Sequence, residues 1–292
     1  MKKKHNSTPW LILIFMVGLS LMLYPSFSNY WNAFHSSRAI SSYAEAVAEI
    51  NTDVYDAIWQ DAQEYNRKLS EIGVQWTPSE EFLEAYNKEL DVTGNGVMGY
   101  IEISEIDCFL PIYHGTSDAV LQNAVGHIEG SSLPVGGEDT HCILSGHRGL
   151  PSAKLFTDLD KLKEGDTFVI RTLDEMLTYQ VDQIHIVLPY DLGYLQIEEG
   201  KDLCTLVTCT PYAINTHRLL VRGHRIENAK DAPTIRITGD AIRLEPLIVA
   251  PVVSMPILLV LLIMLFAGDG KRKREKKHNG KNDQRSRTDE ET

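Results

Sequence analysis

The chain has 292 residues, 28 Lys+Arg against 40 Asp+Glu for a formal net charge of −12 at pH 7, and 43% hydrophobic residues. That length accommodates one or two domains with a large core, and the acidic balance excludes the basic surface that a nucleic-acid partner requires. The charge is also unevenly placed: between two apolar runs, 34 acidic residues face 16 basic ones, near −18.

Residues 1–9 form a basic N-terminus with Lys2-Lys3-Lys4. Residues 10–27 then form an uncharged apolar run of 18 residues, long enough to cross a bilayer as a helix. A cleaved signal peptide is the rival reading, but no small-x-small cleavage site follows at Tyr24-Pro25-Ser26-Phe27. A second run spans 247–267 and precedes the basic stretch Lys271-Arg272-Lys273-Arg274. Basic residues at the outer ends of both runs place both termini in the cytoplasm by the positive-inside rule, with 28–246 outside the cell.

Residues 28–95 read as a helical arm. Apolar residues at Tyr43, Val47, Ile50, Val54, Ile58, Tyr65 and Leu69 recur at steps of three and four, which predicts one or two amphipathic helices over about 37–70. In Trp76-Thr77-Pro78-Ser79-Glu80, Thr77 as N-cap and Pro78 at the first helical position predict a further short helix to about Leu90. Turn residues from Asp91 to Gly96 end it.

The pattern changes over 96–230. Met98–Ile103, Cys108–Ile112, Thr140–Leu144, Thr167–Arg171, Leu177–Val187, Leu203–Cys209 and Arg218–Arg225 alternate and are rich in β-branched residues, as strands are. Short helical patterns cover Asp118–Val125 and Ala153–Leu162. So many strands with so little helix predict a mainly β small barrel or sandwich. A juxtamembrane linker (231–246), the second apolar run and a charged tail (268–292) complete the chain.

Four cysteines lie in the outward-facing region. Cys204 and Cys209 stand about 16 Å apart along one extended strand and on opposite faces, too far for a bridge. A Cys108–Cys142 bridge remains open. His141, Cys142, His147 and Cys209 lack paired metal-ligand spacing, so no metal is expected.

Chemistry points to Cys209, which ends a predicted strand immediately before Thr210-Pro211. A thiolate is the nucleophile, and a neighbouring cation favours it. His147, in the glycine-flanked Ser145-Gly146-His147-Arg148-Gly149, offers an acid/base, while Arg218 offers fixed donors for a developing oxyanion. Arg222 shares a strand face with Arg218, and spacing alone does not choose between them.

The run Thr205-Leu206-Val207-Thr208-Cys209-Thr210-Pro211-Tyr212, continued by Asn215-Thr216-His217-Arg218-Leu219-Leu220-Val221-Arg222-Gly223, resembles the signature of sortases, specifically the pilus-building class C. Leu144-Ser145-Gly146-His147-Arg148-Gly149-Leu150-Pro151 is similar to that family's histidine loop, and the likeness runs from about Gly96 to Arg225. It implies an eight-stranded sortase barrel behind a helical arm, with two flanking transmembrane helices. It further implies Cys209 as nucleophile, His147 as acid/base and Arg218 as oxyanion or substrate residue, with Thr208 a candidate for the substrate groove. The activity implied is cleavage of a Leu-Pro-x-Thr-Gly-like signal between Thr and Gly, then transfer to a pilin lysine. The alternatives are attachment to a cell-wall amine, hydrolysis, or a non-catalytic binding module. The family's Asp-Pro-aromatic lid motif is absent. Trp76-Thr77-Pro78 is the one candidate in its place, either as a lid or as a helix cap with Trp76 packed beside it.

Overall fold

The protein is described by a computed structural model over residues 8–228, excepting the side chains of 8, 9 and 11–13. The linker, the second apolar run and the tail fall outside these residues. Helix α1 (Thr8–Glu49) contains the whole first apolar run and continues into the arm. Among the described residues no helix is long and apolar enough to cross a membrane.

The apolar stripe over 37–70 divides between α1 and α2 (Thr52–Ile72). Asn51 makes the break: its side-chain oxygen accepts from the Val54 amide at 2.9 Å, capping α2. The next helix, α3 (Glu80–Tyr86), starts later than the sequence predicts. Its N-cap is Ser79, whose hydroxyl accepts from Phe82 N at 3.2 Å, so Thr77 and Pro78 stay in the preceding loop.

Eight strands close a barrel: β1 (Val97–Ile103), β2 (Cys108–His114), β3 (Val125–His127), β4 (Thr140–Ser145), β5 (Thr167–Thr172), β6 (Glu175–Val187), β7 (Asp202–Thr210) and β8 (His217–Ile226). The order around the barrel is β1-β2-β3-β4-β7-β8-β6-β5. The pairings β2–β3 and β4–β7 are parallel, and the rest are antiparallel. Strand β3 is the one the sequence hides, and part of it falls where a helix is expected. Helix α4 covers only Asp118–Leu121. The Ala153–Leu162 pattern yields turns and a single 3-10 turn over Leu159–Lys161 rather than a helix.

The barrel interior is filled by residues such as Met98, Ile101, Ile112, Leu144, Phe168 and Leu206, all buried. The arm docks outside. Ile40, Tyr43 and Val47 of α1 pack on Val97, Tyr100 and Leu173. Tyr43 Oη donates to the Met98 carbonyl and accepts from the Leu173 amide, both at 2.8 Å, satisfying a buried hydroxyl. From α2, buried Asn66 donates to the Leu133 carbonyl (3.1 Å) and accepts from the Leu133 amide (2.7 Å). Tyr86 of α3 reaches inward to His127 Nδ1 at 2.9 Å. Helices and barrel therefore share buried polar bonds as well as apolar surface.

Candidate active site

Strand β7 brings Cys209 to one rim of the barrel. The chain turns through 211–216, closed by the Ile214 and Asn215 amides on the Pro211 carbonyl at 3.1 and 3.0 Å. It returns as β8, where Arg218 stands directly across from Cys209 in the register. Cys209 is half-buried and its thiol is free. The Arg218 guanidinium donates to the Asn215 and His217 carbonyls at 3.3 and 3.1 Å.

His147 arrives from the other side of β7. Parallel pairing of β4 with β7 runs through Ser145 opposite Val207. It continues as a bond from Gly146 N to the Val207 carbonyl at 3.0 Å. His147 is the next residue, just as Cys209 lies two beyond Val207, so both leave the ladder at the same end. Gly146 is required here because a Cβ would lie 2.6 Å from the Phe156 ring. The loop then folds back, with Phe156 N donating to the His147 carbonyl at 3.1 Å.

Thr208 is buried, and its hydroxyl donates to the Gly146 carbonyl at 2.7 Å. That bond ties the residue beside the thiol to the residue before the imidazole. Arg148 adds a second tie. Its side chain, 10% exposed, reaches Thr210 Oγ1 at 3.4 Å, pairs with Asp160 and lies 5.9 Å from the Tyr212 ring centre. Arg148, Asp160 and Tyr212 carry no site signal of their own in the sequence, although Arg148 adjoins His147 in the motif. Helix α1 supports the same loop, because Asn29 accepts from Lys154 N (2.9 Å) and Asn32 donates to the Ser152 carbonyl (2.8 Å).

Arg222 is set differently from Arg218. It is buried and committed to two carboxylates, Asp182 at 2.7 and 3.1 Å and Glu198 at 2.6 Å. A guanidinium so neutralised is a fixed structural charge, whereas Arg218 bonds only backbone carbonyls that a substrate can outcompete.

An apolar patch extends from the thiol along the outer face. Ile143, Val187, Leu195, Val207 and Leu220 form it, with Trp76 and Leu192 packed on top. Val207 and Leu220 are themselves cross-strand partners, two residues along from Cys209 and Arg218. Trp76 thus packs on the same apolar cluster that contains Val207 and Leu220. Its segment is held by the Gln75 amide on the Gly130 carbonyl at 2.8 Å; a Cβ at Gly130 would fall 2.0 Å from the Gln75 carbonyl.

The remaining cysteines are buried. Cys142 is the register partner of Cys204 rather than of Cys108, and all are free thiols. Burial pushes the Cys108 thiol up to about 12, and burial with a thiol neighbour raises Cys204 well above its ordinary value. Neither forms a useful nucleophile near neutral pH. His141, from the conceivable zinc set, is engaged with Thr205 and Gln196. Among the described residues no three His, Cys, Asp or Glu side chains gather as a metal site needs.

Residues 101–226 match the family model described as a sortase domain. Sortase C1 from Streptococcus agalactiae is 54% identical, with a TM-score of 0.65 over 66% of this chain and 100% of that one. Streptococcus pneumoniae sortase C is 45% identical, with a TM-score of 0.59 over 65% and 97%. A lid mutant of sortase A from Corynebacterium diphtheriae is 41% identical, with a TM-score of 0.58 over 63% and 99%. With identity of this level across whole relatives, a matching closed barrel and a cysteine at the rim, the chain belongs to the sortase family of cysteine transpeptidases.

Proposed function

We propose that the protein is a pilus-building sortase, held at the cell membrane by the runs 10–27 and 247–267 with its barrel outside. One observation carries the catalytic assignment: Cys209 and Arg218 occupy one cross-strand pair, and His147 leaves the adjacent parallel strand at the same rim. The relatives support the pilus role, since the Streptococcus pneumoniae structure is described with its pilin substrate specificity.

In this reading the Cys209 thiolate attacks the threonine carbonyl carbon of a Leu-Pro-x-Thr-Gly-like signal. Arg218 stabilises the oxyanion of the tetrahedral intermediate with fixed, charged donors. As the C–N bond breaks, His147 gives its proton to the departing glycine amine, leaving a thioester on Cys209. A lysine amine then attacks that thioester, losing a proton to His147 as the thiolate leaves. Thr208 acts indirectly by fixing the Gly146 carbonyl. No cofactor enters the sequence.

Trp76 is the lid of this site. The support is its packing on the apolar cluster whose members Val207 and Leu220 lie two residues along from Cys209 and Arg218. Lacking an Asp-Pro-aromatic anchor, it is held through Gln75 and by apolar contact. The acceptor is tested by incubating the protein with a sorting-signal peptide and a lysine-bearing pilin, then identifying the amine in the product. A lysine isopeptide supports the pilus role; exclusive transfer to a cell-wall peptide amine, or hydrolysis alone, overturns it.

A further inference from the structure

The segment between β6 and β7, residues 188–201, contributes Leu192 and Leu195 to the patch beside Cys209. Two side chains on the barrel grip it just beyond those leucines. Buried Arg222, opposite Thr205 on β7 and Gln183 on β6, spans from Asp182 of its neighbouring strand to Glu198 of the segment. Buried His141 bonds the Gln196 carbonyl through Nδ1 and Thr205 Oγ1 through Nε2, each at 2.7 Å. A carbonyl can only accept, so Nδ1 carries the proton and Nε2 accepts from the threonine hydroxyl.

The arrangement exceeds what burying a charge demands. Asp182, bidentate on the adjacent strand, already satisfies one face of the Arg222 fork. The second carboxylate comes from a connection with no strand partner of its own. Thr205 lies four residues from Cys209, about 13 Å along an extended strand. That span is close to four residues of extended peptide. The grip therefore sits at the far end of the apolar patch from the thiol, within reach of a four-residue extended peptide held at Cys209.

We propose that Arg222, acting through Glu198 with His141 as a second fastening, is a positioning residue that fixes the 188–201 wall and sets the width of the groove leading to Cys209. This rests on the functional reading above. Removing the grip leaves the thiol, the imidazole and Arg218 in place, because all three are held at the opposite end. Binding weakens while the chemical step persists.

The test uses Glu198→Gln, which keeps the side-chain shape on a surface segment, and Arg222→Lys, which keeps one charge but cannot span both carboxylates. A fluorogenic Leu-Pro-x-Thr-Gly peptide supplies KM and kcat, iodoacetamide reports thiol access, and hydrogen exchange reports the segment. The expected result is a KM raised about tenfold with kcat within about threefold. Exchange should quicken in 188–201 while the barrel strands stay protected. Unchanged KM in both variants, or a loss of kcat that tracks the loss of folded protein, overturns the inference while leaving the functional reading standing. If the wild type fails to cleave the peptide in a Cys209-dependent way, the functional reading falls and this inference falls with it.

Discussion

Replacing Trp76 by alanine tests how the site is guarded. An indole side chain offers roughly 200 Å² of surface; Trp76 is half-buried, so about half of that, packed on the apolar cluster that includes Val207 and Leu220, would stabilise a closed arrangement. At about 25 cal/mol per Å² that contact amounts to about 2.5 kcal/mol, or roughly a 60-fold bias toward the covered groove. Trp76→Ala removes most of it, while the Gln75–Gly130 bond keeps the segment near the barrel. Labelling of Cys209 by a bulky maleimide should accelerate by about tenfold or more, up to that ceiling, and kcat/KM for a sorting-signal peptide should rise with it. Trp76→Phe should fall between the two. The assay is the pseudo-first-order labelling rate at Cys209, read by intact-mass spectrometry and paired with peptide cleavage. Labelling and cleavage rates equal to wild type would show that Trp76 packs beside the groove without controlling it.

Arg218→Ala should lower kcat by about 100- to 1,000-fold, as loss of one oxyanion donor does, while iodoacetamide labelling of Cys209 slows far less; single-turnover cleavage measures it. Arg222→Lys, by contrast, should retain turnover at saturating peptide. Asn66→Ala removes both side-chain bonds to the buried Leu133 backbone, and should cost about 2–4 kcal/mol in urea unfolding by leaving an amide and a carbonyl unpaired. His141 carries a pH dependence. Burial lowers its pKa from 6.5 to about 4, opposed next by the bond to the Gln196 carbonyl; the Arg222 charge adds a smaller lowering effect, and Glu198 and Asp182 oppose it more weakly still. The unfolded chain therefore binds a proton between those values that the folded chain refuses. The stabilisation, of order 3 kcal/mol, is complete above about pH 6.5 and is lost as pH falls to about 4. Urea titrations at pH 4.5 and 7 should show this difference shrinking in His141→Gln; an equal slope in variant and wild type would assign the effect elsewhere.

Most of the barrel is legible in the sequence because seven strands alternate or carry β-branched runs long enough to read. Strand β3 is not, since Val125-Gly126-His127 is three residues long, buried on both faces, and paired along its whole length to β2 in parallel. Its existence is a tertiary fact. The helix start shifts from Thr77 to Ser79 for a related reason: two good capping residues lie two positions apart, and the Trp76 and Gln75 contacts keep the earlier one in the loop. At the site, Cys209, His147 and Arg218 carry local signals, but their meeting depends on the β4–β7 and β7–β8 registers, which no spacing rule supplies. The distinction between Arg218 and Arg222 is likewise invisible in a shared strand face. It appears only once Asp182 and Glu198 are brought in from β6 and the segment after it. Thr208 is a groove candidate only through the family resemblance; the bond from its hydroxyl to the Gly146 carbonyl is not legible in the sequence.

The central claim is that Cys209 takes the acyl group from a sorting signal, assisted by the groups gathered at its rim. Mass spectrometry of the protein mixed with a Leu-Pro-x-Thr-Gly peptide and no amine acceptor tests it directly. The account predicts a thioester that carries the peptide through threonine, maps to the fragment containing Cys209, is discharged by hydroxylamine, and is absent in Cys209→Ala. An acyl group on any other residue, or cleavage that persists in Cys209→Ala, would contradict it.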